Sequence, residues 1–304
     1  MDKKTLLNCL LAALITCAGL LFPAQCPAQQ RPLSGQKCFL WQVSSGNNSI
    51  YLLGSIHMGR PDMFPLNERI EQAFKSCQKL AVEVNIAAAD ALNNPDLLSE
   101  SSLYPGEETL KGNLSERTYA LAREKLQQLM LPMELVEKFR PWFVAMLLEQ
   151  LELLNLGFDP MYGIDVYFLD KAGGAKQILE LESLEFQINL FNQLSNSQQD
   201  AFLYSTLLSL DNMGQTMDEM VTAWVNGDTQ AMSSLLAKTN SDDPQLIPVY
   251  QKIIYERNIN MADKAEGYLR NGGSCFVVVG AAHLLGPNGI VELLRQRGYK
   301  VEQL

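Results

Sequence analysis

Tyr51-Leu52-Leu53-Gly54-Ser55-Ile56-His57 reads as the end of a strand: three apolar residues, a glycine, two small or apolar residues and a histidine. The same order recurs far downstream in Val277-Val278-Val279-Gly280-Ala281-Ala282-His283. His57 and His283 are the two histidines of a 304-residue chain, and each lies three residues after a glycine at a strand-to-loop transition. A glycine there lets the backbone turn sharply, or lets a ligand approach where a Cβ would stand. Ligands of α/β sheets bind outside the carboxyl ends of the strands. Both imidazoles are therefore expected in one crevice.

Working outward, residues 39–43 and 50–54 predict two strands joined by the polar turn Ser44-Ser45-Gly46-Asn47-Asn48. Residues 67–78 predict an amphipathic helix, with Ile70, Ala73, Phe74 and Cys77 at helical spacing and Asn67 as its cap. Residues 79–84 follow as an apolar strand. Strand, helix, strand in this order is a βαβ unit and predicts parallel pairing. Two helical blocks are expected near 87–174 and 184–269, punctuated by Pro132, Pro141 and Pro160 in the first and by Gly227-Asp228 in the second. A strand over 176–181 separates them. A strand over 275–279, a helix near 289–297 and a last strand over 299–302 close the chain. The expected fold class is α/β: a mixed sheet core with a βαβ unit, large helical insertions and a strand-end active site.

Residues 1–28 have the order of a secretory signal: Lys3 and Lys4, an apolar run from Leu6 to Phe22, then Pro23 and Cys26-Pro27-Ala28. Export, with a bacterial periplasm as destination, is the expectation, and residues 29–304 would form one domain with no stable membrane span. The formal net charge is −10, and removal of Asp2, Lys3 and Lys4 takes it to about −11. Such a chain repels nucleic-acid phosphates. Cys38, Cys77 and Cys275 would remain, without CxxC or zinc-finger spacing; an oxidising compartment permits one disulfide, but buried small hydrophobes is the plainer reading.

A histidine pair needs an acid beside it to make a metal site or an acid–base site. Glu83 interrupts the apolar Leu80-Ala81-Val82-Glu83-Val84, where an unpaired carboxylate would be costly, so an ion or donor should face it. Glu180 and Glu182 lie two apart, on one face if the strand stays extended, with Glu182 nearer the crevice. Asp165, in Tyr162-Gly163-Ile164-Asp165, is also explained by helix capping. Arg257 and Asn258 fall within a long helix. An arginine aimed at the crevice would hold a substrate carboxylate or stabilise developing negative charge. Rival motifs are missing: Ser55 lacks the Gly-x-Ser-x-Gly setting, His-Glu-x-x-His is absent, and Gly272-Gly273 and Gly286-Pro287-Asn288-Gly289 match no phosphate loop.

Taken in order, Tyr51 to Gly59, Leu80 to Val84, Gly163 to Asp165, Glu180 to Glu182, Glu256-Arg257-Asn258 with Met261-Ala262, and Val279 to Gly286 before Arg297 to Val301 resemble the TraB/GumN family. That family is similar to the Tiki proteins of animals, membrane-anchored metal-dependent proteases with two Gly-x-x-His motifs, and more remotely resembles the erythromycin-esterase and ChaN-like groups. The resemblance implies a hydrolase whose site is built from His57, His283, Glu83 and a second acid, with manganese or cobalt as the metal. On this reading His57, His283, Glu83 and Glu182 hold one divalent ion, for which mixed imidazole and carboxylate ligands suit Mn, Co or Zn. Glu83, Arg257 and Glu180 are the candidate catalytic residues, and Arg257, Asn258 and Asp165 the candidate substrate contacts, for a peptide or a small ester or amide. Two alternatives stay open: a metal-free esterase-like hydrolase in which Glu83 or Glu182 polarises His57, and a non-catalytic periplasmic binding protein.

Overall fold

The computed structural model describes residues 37–86, 101–240 and 244–304. The expected signal, the linker after it and the first residues of the first helical block lie outside the described residues.

β1 (Leu40–Ser45) and β2 (Asn48–Ser55) form the opening hairpin, in register from Leu40 opposite Leu53 to Ser45 opposite Asn48. The turn is tighter than its polar sequence suggests. Ser44, Ser45, Asn48 and Ser49 stay in the ladder, leaving Gly46-Asn47 to reverse the chain, with Gly46 at φ 57°. α1 (Glu68–Ser76) is capped by Asn67, whose side chain accepts from the Arg69 N–H at 3.0 Å. Its buried face, Ile70, Ala73 and Phe74, packs on the sheet. There the Phe74 ring meets Phe168 and Phe276 at 4.9 and 5.5 Å between centroids. Such ring pairs add about 0.5–1.5 kcal/mol each beyond their burial.

β3 (Lys79–Val82), β4 (Gln177–Glu180), β5 (Cys275–Gly280) and β6 (Lys300–Gln303) complete a mixed six-stranded sheet of order β4-β3-β5-β2-β1-β6. β4, β3, β5 and β2 run parallel, and β1 is antiparallel to both of its neighbours. The two strands of the βαβ unit are parallel but do not touch, because β5 lies between them. Burial explains this: all six residues of Cys275-Phe-Val-Val-Val-Gly280 are buried, a pattern satisfied only in the centre of a sheet covered on both faces. The half-exposed β4 and β6 take the edges.

The remaining helices are α2 (Glu116–Gln128), α3 (Pro141–Asn155), α4 (Ile164–Ala172), α5 (Leu184–Asn192), α6 (Asn196–Ser209), α7 (Met213–Val225), α8 (Thr229–Asn240), α9 (Ile247–Tyr250), α10 (Glu256–Arg270), α11 (Ala281–Leu284) and α12 (Ile290–Gln296). A π-helical turn, Gln251–Tyr255, joins α9 to α10. α3 buries Trp142, Phe143, Val144, Ala145, Leu147 and Leu148, most of its circumference, and so belongs to the core rather than to the surface. α7 is tied to the sheet where the Trp224 indole N–H donates to the Gly54 carbonyl at 2.6 Å. Among the described residues no helix is long and apolar enough to cross a membrane. Cys38, Cys77 and Cys275 are buried free thiols; burial pushes Cys77 up to about 11 and Cys275 up to about 12.

Candidate functional site

β2 and β5 are hydrogen-bonded neighbours, with Gly54 opposite Val279 and Ser55 opposite Gly280. The two Gly-x-x-His turns therefore leave the sheet side by side, and their histidines reach one place. Gly280 marks it: a Cβ there would stand 3.1 Å from His57 Nε2, 3.3 Å from Glu83 Oε1 and 3.5 Å from His283 Cδ2. The space a side chain would fill is the space these three groups face.

Each imidazole is held by its other nitrogen. His57 Nδ1 lies 3.1 Å from Asp165 Oδ1, in the first turn of α4, and that oxygen also accepts from the Ser55 hydroxyl at 2.8 Å. Gly163 makes this possible, because a Cβ there would come within 2.4 Å of the His57 carbonyl oxygen. His283 Nδ1 lies 2.6 Å from Asn258 Oδ1, while Asn258 Nδ2 donates to the Asn288 carbonyl at 2.8 Å. That second bond fixes which end of the amide faces the ring, so Nδ1 of His283 carries the proton and its Nε2 the lone pair. An oxygen acceptor on Nδ1 favours the same arrangement in His57. Orienting partners of this kind are what metal-ligating histidines have behind them.

The acids arrive from the next strands. Glu83 stands one residue beyond β3, not within it, and the pairing continues past both strand ends: the Leu181 N–H donates to the Val82 carbonyl and the Glu182 N–H to the Glu83 carbonyl, each at 2.8 Å. Glu83 and Glu182 are thereby placed side by side. Arg257 lies between them, 2.5 Å from Glu83 Oε2 and 2.7 Å from Glu182 Oε2, with its Nε 3.0 Å from both oxygens of Glu182. Its remaining terminal nitrogen donates to the Ile253 carbonyl at 2.9 Å. Gln187 donates to Glu182 Oε2 and Glu83 Oε2 at 3.0 and 3.3 Å. Glu83 Oε1, pointing the other way, accepts the Gly280 N–H at 2.6 Å and stands 3.7 Å from His283 Nε2.

The charges follow from these contacts. Burial pushes the Glu83 carboxyl up, but His283, Arg257, His57 and the Gly280 N–H together pull it down to about 2. Burial lowers His283 to about 4, against the pull of Glu83, so its ring is neutral near pH 7. Burial also acts to lower His57, yet Asp165 and Glu83 raise it to about 9. The His57 side chain is 58 % exposed, against 5 % for His283, and solvent screens part of that upward pull.

Of the residues singled out from the sequence, His57, His283, Glu83, Glu182, Arg257, Asn258 and Asp165 are brought into one connected cluster. Glu180 is not: it is exposed, and its side chain accepts from the Asn85 N–H at 2.8 Å. Three of the seven stand elsewhere in the cluster than expected. Glu182 is buried with both oxygens on Arg257, Arg257 is bound by two carboxylates instead of open to substrate, and Asn258 is fully buried with both ends of its amide engaged. Ser55 and Gln187 join unannounced; the available signal for Ser55 is a hydroxyl two residues before His57, directly after the apolar Leu52-Leu53-Gly54. Among the described residues no three His, Cys, Asp or Glu side chains are already arranged as a metal centre. The donor chemistry nevertheless suits one: two imidazoles with Nε2 turned to a common space, one ionised carboxylate oxygen beside them, and a glycine whose missing side chain leaves that space open.

Residues 39–303 match the sequence model of the TraB/PrgY/gumN family. The uncharacterized protein YbaP of Escherichia coli is 29 % identical, the match covering 82 % of this chain and 89 % of that protein. An uncharacterized protein of Treponema pallidum is 22 % identical over 87 % of this chain and 82 % of its own length. Metalloprotease TIKI1 of Danio rerio is 25 % identical, with 89 % of this chain aligned to 64 % of that protein. No solved structure matches the chain.

Proposed function

The chain belongs to the TraB/PrgY/gumN family, and we propose that it is a metal-dependent hydrolase acting on peptide bonds, exported to the bacterial periplasm by residues 1–28. One observation carries this reading: both histidines are anchored through Nδ1, and on their far side His57 Nε2 and the Cδ2–Nε2 edge of His283 flank the space above Gly280, beside Glu83 Oε1. His57, His283 and Glu83 would hold a divalent ion, with Mn, Co and Zn all suited to that donor set. Glu182 is left out of the ligand set, since Arg257 and Gln187 occupy its oxygens. When bound, the ion supplies Lewis acidity, polarising a carbonyl and easing the ionisation of water. The relatives named metalloproteases support the peptide bond as the target.

The other residues act through these three. Asn258 keeps the proton of the neutral His283 ring on Nδ1, so that its Nε2 presents a lone pair, and Asp165 would do the same for His57 once that ring gives up its second proton, as ligation to an ion requires. Arg257, with His283, helps hold Glu83 ionised, and its second contact ties Glu182 beside it. Chelator should abolish peptide hydrolysis, and Mn, Co or Zn should restore it; activity indifferent to chelator refutes the metal role.

The contact between His57 and Asp165 favours a second, metal-free reading. A solvent-facing imidazole backed by a carboxylate is a general base for water, with Nε2 taking the proton and Asp165 supporting the charge. The polarising acid would then be Asp165 and not Glu83 or Glu182. Its mark is chelator-resistant hydrolysis that rises with pH toward about 9.

A further inference from the structure

A cleft of about 1150 Å³ opens beside the turn that carries His283. Ala282, Leu285, Gly286 and Pro287 form one end of it. From there it runs between α6, α7 and α8, where Phe202, Leu208, Met220 and Leu236 give it apolar walls, joined by Leu246 at the start of α9. Its volume is above the ~300–1,000 Å³ of ordinary small-molecule sites. Leu208 is 52 % exposed within it, an apolar side chain facing water. Hydroxyl and amide side chains are interleaved with the apolar ones: Ser205, Thr216, Asn212 and Gln215. An acyl chain has no use for such groups; a polypeptide, which carries an N–H and a C=O at every residue, does.

The cleft and the histidine site share a helix. Tyr250, Ile254 and Tyr255 line the cleft, while two and three residues after Tyr255 come Arg257 and Asn258. The π-helical turn Gln251–Tyr255 lies between, and its Ile253 carbonyl accepts from Arg257. Single π turns of this kind re-phase a helix and are frequent at functional sites. Here the turn lets one helix face the cleft first and the site next.

Resting on the hydrolase reading above, we propose that this cleft is the substrate subsite, and that it takes an extended polypeptide segment bearing apolar side chains. A small ester or amide would leave most of it empty.

The test is binding without turnover, on purified protein carrying His57→Ala. Two fluorescein-labelled peptides of equal length and charge, a Leu-Ala-Ser-Lys repeat and a Gly-Ala-Ser-Lys repeat, are titrated by fluorescence anisotropy. The leucine peptide should bind about tenfold more tightly or better. Leu208→Asp, at an exposed position, and Thr216→Arg, at a half-buried one, should each weaken it by about tenfold, and Leu154→Asp, outside the cleft, should not. Equal binding of the two peptides, or cleft variants no worse than Leu154→Asp, overturns the proposal. Peptide bound through the cleft but never cleaved by the unsubstituted protein supplied with Mn, Co or Zn leaves the subsite standing and removes the hydrolase. Cleavage that ignores both cleft variants does the reverse.

Discussion

Asn258 Oδ1 lies 2.6 Å from His283 Nδ1, and neither side chain is appreciably open to water. A fully buried amide thus decides which nitrogen of the less exposed histidine faces the site. Asn258→Ala should lower divalent-metal affinity by about 10–100-fold, the usual cost of losing an orienting partner. Stability should fall by about 1–3 kcal/mol, since the Asn288 carbonyl loses its donor as well. Metal titration and denaturant unfolding of the same variant separate the two effects.

Gly280→Ala isolates the space itself. The backbone at Gly280, φ −50° and ψ 138°, is one that alanine adopts freely, so the variant should fold with an unchanged far-ultraviolet spectrum. Its methyl group would stand 3.1 Å from His57 Nε2 and 3.3 Å from Glu83 Oε1, in the space the proposed ion would occupy. Loss of metal binding in a folded protein is the expected result.

Arg257→Gln should be costly for a different reason. The Glu83 and Glu182 side chains are 12 % and 3 % exposed, and without the guanidinium they face each other with no cation between them. Breaking a buried pair by removing one partner costs about 3–5 kcal/mol. The double variant Arg257→Gln with Glu182→Gln should recover part of that loss, measured as the shift in urea midpoint at constant slope.

How much of this arrangement the sequence discloses depends on the range of the interaction. The hairpin, the Asn67 cap and the strand ending at Gly280 follow from local pattern, and each is found within a residue or two. The insertion of β5 between β2 and β3 does not, since pairing order is decided by which strand can be buried on both faces. Glu83 stood out because a carboxylate followed an apolar run, but not that it lies past the strand, with one oxygen on the Gly280 N–H and the other on Arg257. Gln187 gave no sign; it reaches the acids because α5 begins directly after Glu182, capped by Ser183. The role expected of Arg257 toward substrate presumed an open guanidinium, and its exposure is a tertiary fact.

Far from the histidines, Glu266 accepts from the Tyr299 hydroxyl and from Arg297, both at 2.8 Å, and pairs with Arg270. The Tyr299 hydrogen bond, with both arginines, holds its carboxyl below the usual range. A folded-state pKa that is depressed contributes stability above the ordinary glutamate value of about 4.3, lost as pH falls through the folded value. Glu266→Gln should therefore differ from the parent by under about 1 kcal/mol at pH 7, and the difference should vanish in acid. Unfolding curves across that range check the sign.

The most direct measurement is the metal content of the purified protein beside His57→Ala and His283→Ala. If these residues with Glu83 hold one divalent ion, the parent protein carries about one equivalent of Mn, Co or Zn and each variant loses most of it. Equal metal in all three would contradict the account.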